Sequence, residues 1–320
     1  MEKILLKAKN LKKYFSLKKE FLKETQYVKA VDDIDLTIYE GETLGIVGES
    51  GCGKSTLGRI LLNLITPDAG EIIYQGRNIL ELSKKEMRSL RKEMQIIFQD
   101  PFSSLDPRFR IKDIVGEGLE VFYPREGKQF IKDRVDEILA LVGLPKEIKN
   151  RYPHEFSGGQ RQRISIARSI VLKPNFIVCD EPVSSLDVSI QAQIINLLKS
   201  LKEKLNLSYL FIAHDLSVVN YISDQIAVIY LGKIVEYGKA EKVCKSPVHP
   251  YTKALIAAIP QISAKKSGEV KLKAEVDVSV NQIQGCSFYP RCKEALDICK
   301  KEVPRLKKND DTHSVACHLY

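Results

Sequence analysis

The sequence predicts an α/β fold built on a parallel sheet. Three observations carry that reading: short apolar runs of strand length recur along the 320 residues, helical patterns separate them, and a Gly-rich loop joins one strand to one helix. Ile34-Asp35-Leu36-Thr37-Ile38 alternates apolar and polar side chains, as a half-buried strand does. Thr43-Leu44-Gly45-Ile46-Val47 is a short apolar strand that runs into the loop. A helix follows over about Lys54 to Leu64, and Pro67 and Gly70 mark the turn after it. Residues 101–166 lose strand character and read as mostly helical, with apolar residues at helical spacing over 133–142 and a stop at Gly143. Strand signals return at Phe176-Ile177-Val178-Cys179 and Tyr209-Leu210-Phe211-Ile212-Ala213, with a helix over about Ile190 to Leu205 between them. Residues 261–285 are polar and irregular and read as a linker, and no internal repeat is visible. Such an alternation places a ligand at the carboxyl ends of the strands.

Composition narrows the function. The hydrophobic fraction is 44%, enough for a real core, and charged residues make up 28%. No run approaches the ~18 apolar residues of a membrane span. The start, Met1-Glu2-Lys3-Ile4-Leu5-Leu6-Lys7, lacks the apolar centre of a secretory signal, so a cytosolic protein is expected. The net charge of +9 is uneven: residues 1–30 carry nine Lys against three Glu, and residues 261–320 carry eleven Lys or Arg against eight acids. The remaining span is therefore neutral (9 − 6 − 3 = 0), which argues against a broad basic face for nucleic acid. The Lys-rich start suits an anionic membrane surface, bound polyphosphate or plain solvent.

Gly48-Glu49-Ser50-Gly51-Cys52-Gly53-Lys54-Ser55 fits G-x-x-x-x-G-K-[ST] in full, with a strand before it and a helix after it. Glycines let the backbone curl so that its amides face phosphate, and the helix N-terminus adds partial positive charge. Lys54 is expected on the β- and γ-phosphates, Ser55 on Mg²⁺, and Thr56 completes the phosphate set. A second element should serve the metal. The strand Phe176–Cys179 ends in Asp180 and Glu181; Asp180 would approach Mg²⁺, and Glu181 would polarise the attacking water as general base. Two carboxylates capping a buried strand are costly without a cation.

Between these elements stands Phe156-Ser157-Gly158-Gly159-Gln160-Arg161-Gln162-Arg163, which resembles the signature sequence of ABC ATPases. Gln99 resembles the family's Q-loop glutamine, Ser184-Ser185-Leu186-Asp187 its D-loop, and His214 its switch histidine. The resemblance covers about residues 1–260 and implies a P-loop NTPase (RecA-like) core with an inserted helical subdomain over about 101–166. It implies that Gln99 contacts Mg²⁺ and that His214 contacts the γ-phosphate. It also implies head-to-tail pairing, in which Ser157, Gly158, Gly159, Gln160 and Asp187 serve a partner's nucleotide. Tyr14-Phe15 resembles the aromatic that stacks on adenine, with Phe15 the better fit by register; either ring could instead pack beneath residues 31–38. His154 reads as structural.

The tail narrows the class. His249-Pro250-Tyr251-Thr252-Lys253-Ala254-Leu255 resembles a hallmark of oligopeptide and dipeptide importer ATPases, although on spacing alone it also fits an ordinary turn and helix start. Residues 48–59 and 98–107 are similar to the F-type subunit of those importers. The resemblance implies ATP hydrolysis at the cytoplasmic face of a membrane, with a sister ATPase, two membrane permease subunits and, indirectly, an extracytoplasmic substrate-binding protein. The alternatives are an importer of another small solute such as nickel, or a soluble regulatory ATPase. Residues 261–320 form a small Cys-rich extension in this reading. Cys286, Cys292, Cys299 and Cys317 are spaced C-x₅-C-x₆-C-x₁₇-C, wider than usual zinc pairs, and suggest a four-thiolate site whose metal the spacing leaves open. The resemblance implies a [4Fe–4S] cluster, with zinc, aided by His313 or His318, as the alternative. Cys52, Cys179 and Cys244 read as bystanders to metal binding.

Overall fold

The computed structural model describes residues 3–16, 27–258 and 284–320; most of the linker expected over 261–285 lies outside them. The strands in chain order are β1 (Ile4–Ser16), β2 (Tyr27–Tyr39), β3 (Thr43–Val47), β4 (Ala69–Tyr74), β5 (Arg77–Asn78) and β6 (Met94–Ile97). They continue as β7 (Phe176–Asp180), β8 (Ser208–Ala213), β9 (Gln225–Tyr230), β10 (Lys233–Lys239), β11 (Lys307–Asp310) and β12 (His313–Val315). The helices are α1 (Lys54–Leu61), α2 (Lys84–Leu90), α3 (Pro101–Ser104), α4 (Ile111–Phe122) and α5 (Gly127–Leu141). After them come α6 (Gly158–Ile170), α7 (Val188–Leu205), α8 (Leu216–Ile222), α9 (Ala240–Lys245) and α10 (Pro250–Ala257). Two compact units divide these elements: one holds Met1–Lys3, Tyr39–Glu42 and Glu81–Ile212, the other Ile4–Ile38, Thr43–Leu80 and Ala213–Tyr320.

In the first unit β6, β7 and β8 run parallel, with Ile97 opposite Cys179 and Asp180 opposite Ile212. Every residue of β7 and β8 is buried, as expected for parallel strands. Tyr209 keeps its buried hydroxyl satisfied by donating to the Leu198 carbonyl at 3.1 Å. The stretch 101–166 is helical, as its periodicity predicts. Helix α4 packs on α5 and α6 through Ile111, Ile114, Val115 and Leu119, the i, i+3, i+4, i+8 positions of one helix face. Burial of each such side chain contributes about 1.5–3 kcal/mol. Arg134 of α5 donates Nε–H to the Val171 carbonyl at 3.1 Å, tying α5 to the end of α6.

In the second unit an antiparallel sheet runs in the order β2-β1-β4-β5. Leu6 faces Tyr74 and Ala8 faces Ile72, four buried side chains on one face. A further sheet runs β3-β9-β10-β12-β11. Only β3 and β9 are parallel there; β10, β12 and β11 are antiparallel. The parallel-sheet expectation is therefore corrected to mixed. The cause is local: β9 and β10 are joined by Leu231 and Gly232 alone, both at positive φ (45° and 78°). That is the two-residue hairpin geometry, whereas a parallel return needs a dozen residues or more. The last strands belong to the C-terminal extension, so residues 307–315 extend this sheet. Among the described residues no helix is long and apolar enough to cross a membrane.

Candidate functional site

Strand β3 delivers the chain into the loop Gly48–Gly53, and α1 begins at Lys54. Gly53 sits at φ 104°, and a Cβ there would lie 1.8 Å from the Ala30 carbonyl oxygen, so only glycine lets the loop press onto β2. The first turn of α1 carries no acidic residue and no side-chain cap. Its amides and dipole are therefore left for an anion, as the predicted phosphate role requires. Lys54 is 4% exposed, and its Nζ donates to the carbonyls of Gly48 (2.7 Å) and Glu49 (2.8 Å). A buried ammonium held by two neutral carbonyls, with the Cys52 Sγ 3.9 Å away, suits a phosphate as counter-charge. Cys52 is buried, and burial pushes its thiol up, so it is a neutral side chain in the loop floor. Ser55 and Thr56 are half-buried in the first turn of α1.

Glu49 behaves differently from its neighbours. Its backbone N–H donates to the Tyr251 hydroxyl at 2.8 Å. Its carboxylate accepts two bonds from Arg291, at 2.7 and 2.9 Å. Neither partner was singled out for this contact by sequence reasoning. Tyr251 lies in the His249-Pro250-Tyr251 run, which is a helix start in the structure: His249 caps α10, its Nδ1 accepting from the Tyr251 N–H at 3.0 Å, and Pro250 takes the first helical position. A cavity of about 260 Å³ beside the loop is lined by Gly51, Cys52, Tyr27, Asp32, Lys233 and Ser287.

Two other predicted groups fall in the same unit. Tyr14 donates its hydroxyl to Asp32 at 2.6 Å, and burial beside that carboxylate raises its pKa. Phe15 is the more exposed of the pair, at 39%, with Lys13 Nζ over its ring 5.6 Å from the centre. His214 follows β8 and is exposed.

The first unit holds the acidic and signature residues. Strand β7 ends on Asp180, which is 2% exposed. Glu181 follows at φ 46°, a strained conformation for a residue with a side chain. Its N–H donates to the Ile212 carbonyl at 3.0 Å, and its carbonyl accepts from the Ser184 hydroxyl at 3.1 Å, so the turn is fixed at both ends. Gln99 Nε2 donates to Glu181 Oε2 at 3.0 Å, which brings the predicted glutamine and the predicted base together. The signature forms the start of α6. Ser157 Oγ accepts from the Gln160 N–H (3.4 Å) while Gln160 Oε1 accepts from the Ser157 N–H (3.1 Å), a capping box on the surface. A Cβ on Gly159 would lie 2.5 Å from Ile190 Cγ2, and one on Gly158 would lie 3.3 Å from Leu186 Cδ2. The glycines therefore let α6 approach the start of α7, which Asp187 caps by accepting from the Ile190 N–H at 3.0 Å.

The four-cysteine expectation is corrected. Among the described residues no group of three or more His, Cys, Asp or Glu side chains is placed to hold a metal ion. Burial pushes the Cys286 thiol up to about 11. The histidines considered for zinc are engaged elsewhere: His313 Nε2 lies 2.7 Å from Glu236 Oε1, and His318 Nε2 lies 2.9 Å from the Glu302 carbonyl. Neither a [4Fe–4S] cluster nor zinc fits these residues.

Residues 31–184 match the family described as ABC transporter, and residues 235–299 match the oligopeptide/dipeptide transporter C-terminal region. The chain is 47% identical to the oligopeptide transport ATP-binding protein AppF of Bacillus subtilis, over 100% of this chain and 98% of that one. It is 46% identical to the dipeptide transport ATP-binding protein DppF of Haemophilus influenzae, over 98% and 96%. Among solved structures, a dimeric post-hydrolysis state of the ATP-binding cassette MJ0796 bound to ADP and Pi superposes with a TM-score of 0.65 at 28% identity. That match covers 74% of this chain and 99% of the other.

Proposed function

Because the chain belongs to the family of ABC-transporter ATP-binding subunits, whose ATP hydrolysis is coupled to transport, we propose that it powers the uptake of oligopeptides or dipeptides through separate membrane permease subunits. The observation that carries the cargo assignment is the full-length similarity to oligopeptide and dipeptide transport ATP-binding proteins, joined by the peptide-type C-terminal region. The resemblance to the F-type subunit favours a distinct sister ATPase as partner, with an extracytoplasmic binding protein delivering the peptide. The working place is the cytoplasmic face of the membrane. The ATPase portion spans 1–260, and 261–320 is its extension.

Roles follow from the chemistry of each group. Gly48, Ser50, Gly51, Cys52 and Gly53 offer backbone amides to the phosphates, Lys54 adds its ammonium, and Thr56 lies in the same first turn. Phe15 stacks on the base, worth about 1–3 kcal/mol. Ser55, Asp180 and Gln99 would hold Mg²⁺, whose chemistry is to neutralise charge on the phosphate oxygens. Glu181 takes a proton from the attacking water, and the Gln99 amide on its Oε2 orients the carboxylate for that transfer. His214 hydrogen-bonds the γ-phosphate and orients water. Ser157, Gly158, Gly159, Gln160 and Asp187 present an exposed helix start to the nucleotide of the partner ATPase, and Val188, 81% exposed beside Asp187, favours a covered face there. A groove of about 830 Å³ in the helical region, lined by Phe102, Leu105, Pro107, Phe109, Ile114 and Glu117, suits a helix of the permease.

The test is isolation of the complex from native membranes with every subunit identified, followed by uptake of labelled peptides. Co-purification of two integral membrane proteins and ATP-dependent peptide uptake are expected. A lone soluble ATPase, or uptake of a non-peptide solute only, contradicts the reading.

A further inference from the structure

Three contacts hold the phosphate loop from outside, and two of them come from the C-terminal part of the chain. The Gly232 N–H donates to the Cys52 carbonyl at 3.0 Å. The Tyr251 hydroxyl receives the Glu49 N–H. The Arg291 guanidinium grips the Glu49 carboxylate with both Nη groups across a sequence separation of 242 residues. Arg291 is itself fixed: its side chain is 7% exposed. It follows Phe288, whose ring stands edge-on to Tyr230 at 5.2 Å and 90° and packs against Tyr251 at 5.4 Å. Tyr230 closes β9, one residue past Ile229, whose carbonyl oxygen would lie 2.2 Å from a Cβ on Gly48. The same aromatic cluster therefore supports the loop floor and the arginine. With amide and carboxylate both engaged, Glu49 is turned away from phosphate duty and anchors the loop instead.

We propose that Arg291 is a positioning residue for nucleotide binding: through Glu49 it holds the phosphate loop in its binding conformation, so that docking of the C-terminal extension sets ATP affinity. A loop already ordered pays no ordering cost when the triphosphate arrives. A bidentate guanidinium–carboxylate pair is the side-chain contact that fixes both position and orientation. Linkage makes the effect reciprocal: bound nucleotide tightens the extension by the same factor that the extension tightens nucleotide. The inference rests on reading residues 48–55 as the triphosphate site.

The test is titration of the full chain with a fluorescent ATP analogue and Mg²⁺, alongside thermal melting. Arg291→Ala and Glu49→Gln should each weaken binding about tenfold. The double variant should be no weaker than either single one, because the two residues act as one contact. The rise should appear in KM, with kcat at saturating ATP retained. Arg291→Lys, which keeps the charge but loses the fork, should fall between wild type and Arg291→Ala. It carries the test if Arg291→Ala does not fold. Amide exchange over residues 286–299 should slow when nucleotide is bound. Lowered melting points with unchanged affinity in these variants, or additive losses in the double variant, overturn the proposal. Lys54→Ala separates the premises: if it binds nucleotide normally, the phosphate-loop reading has failed; if it loses binding while Arg291→Lys and Glu49→Gln keep it, only the strut has failed.

Discussion

Glu181 concentrates the chemistry at the scale of single residues. It follows the buried strand β7 at φ 46°, and its carboxylate accepts a hydrogen bond from Gln99. Glu181→Gln keeps the shape and removes the proposed base, so ATP should still bind while turnover falls by about 10²–10⁴-fold, read as steady-state phosphate release. Lys54→Ala acts earlier. Losing a charge-assisted hydrogen bond worth roughly 1.5–3 kcal/mol should weaken ATP binding about 10- to 100-fold by calorimetry. The elements that carry both residues were legible in the sequence, because a strand–loop–helix with glycines and an apolar strand ending in two acids are local patterns. The Arg291 contact with Glu49 was not legible: no periodicity or spacing reports on a pair 242 residues apart.

Elements show where local patterns lose information. The helical stretch 101–166 and strands β7 and β8 follow directly from apolar periodicity. The β9–β10 hairpin does not, because Leu231-Gly232 lacks the Asn-Gly or Asp-Gly signal that announces such turns. In β1 the buried Leu5, Leu6 and Leu11 are interleaved with lysines, so residues 1–16 read as charge before they read as strand. The start of α10 was visible but ambiguous, and its cap now yields a pH dependence. His249 is 1% exposed, and burial, aided by the positive Lys253, lowers its pKa from 6.5 to about 4. Between those values the unfolded chain binds a proton that the folded chain refuses, so stability rises with pH across this window and is lost as pH falls from about 6.5 toward 4. At ~1.4 kcal/mol per pH unit the interval corresponds to about 3 kcal/mol. His249→Asn keeps a capping side chain but cannot titrate. Denaturant melts at pH 7 and pH 5 should therefore show a smaller acid loss in the variant; equal losses contradict the assignment.

The whole molecule combines an ATPase with a C-terminal region that contacts its phosphate loop and adds strands to its sheet. The cysteines of that extension were the most conspicuous feature of the composition and the least informative, since four thiols near one another in sequence do not fix ligand geometry. Replacing Cys286 and Cys292 with Ser should leave metal content and the absorbance near 400 nm of the purified protein unchanged, because among the described residues no three ligands are placed to hold a metal. The buried pair His313 and Glu236, both 0% exposed in their side chains, ties β12 to β10. His313→Ala removes one of three hydrogen-bond partners of the Glu236 carboxylate, leaving the Val248 and His249 N–H donors, and should cost about 1–3 kcal/mol in a denaturant melt.

The central claim is that this chain turns ATP hydrolysis into peptide uptake. It is tested most directly by reconstituting the purified complex, with its binding protein, into vesicles and following labelled-peptide entry with wild-type and Glu181→Gln chains. Uptake that needs ATP and falls at least about tenfold in the variant is expected. Uptake that proceeds equally with Glu181→Gln, or ATP turnover that never moves peptide, would contradict it.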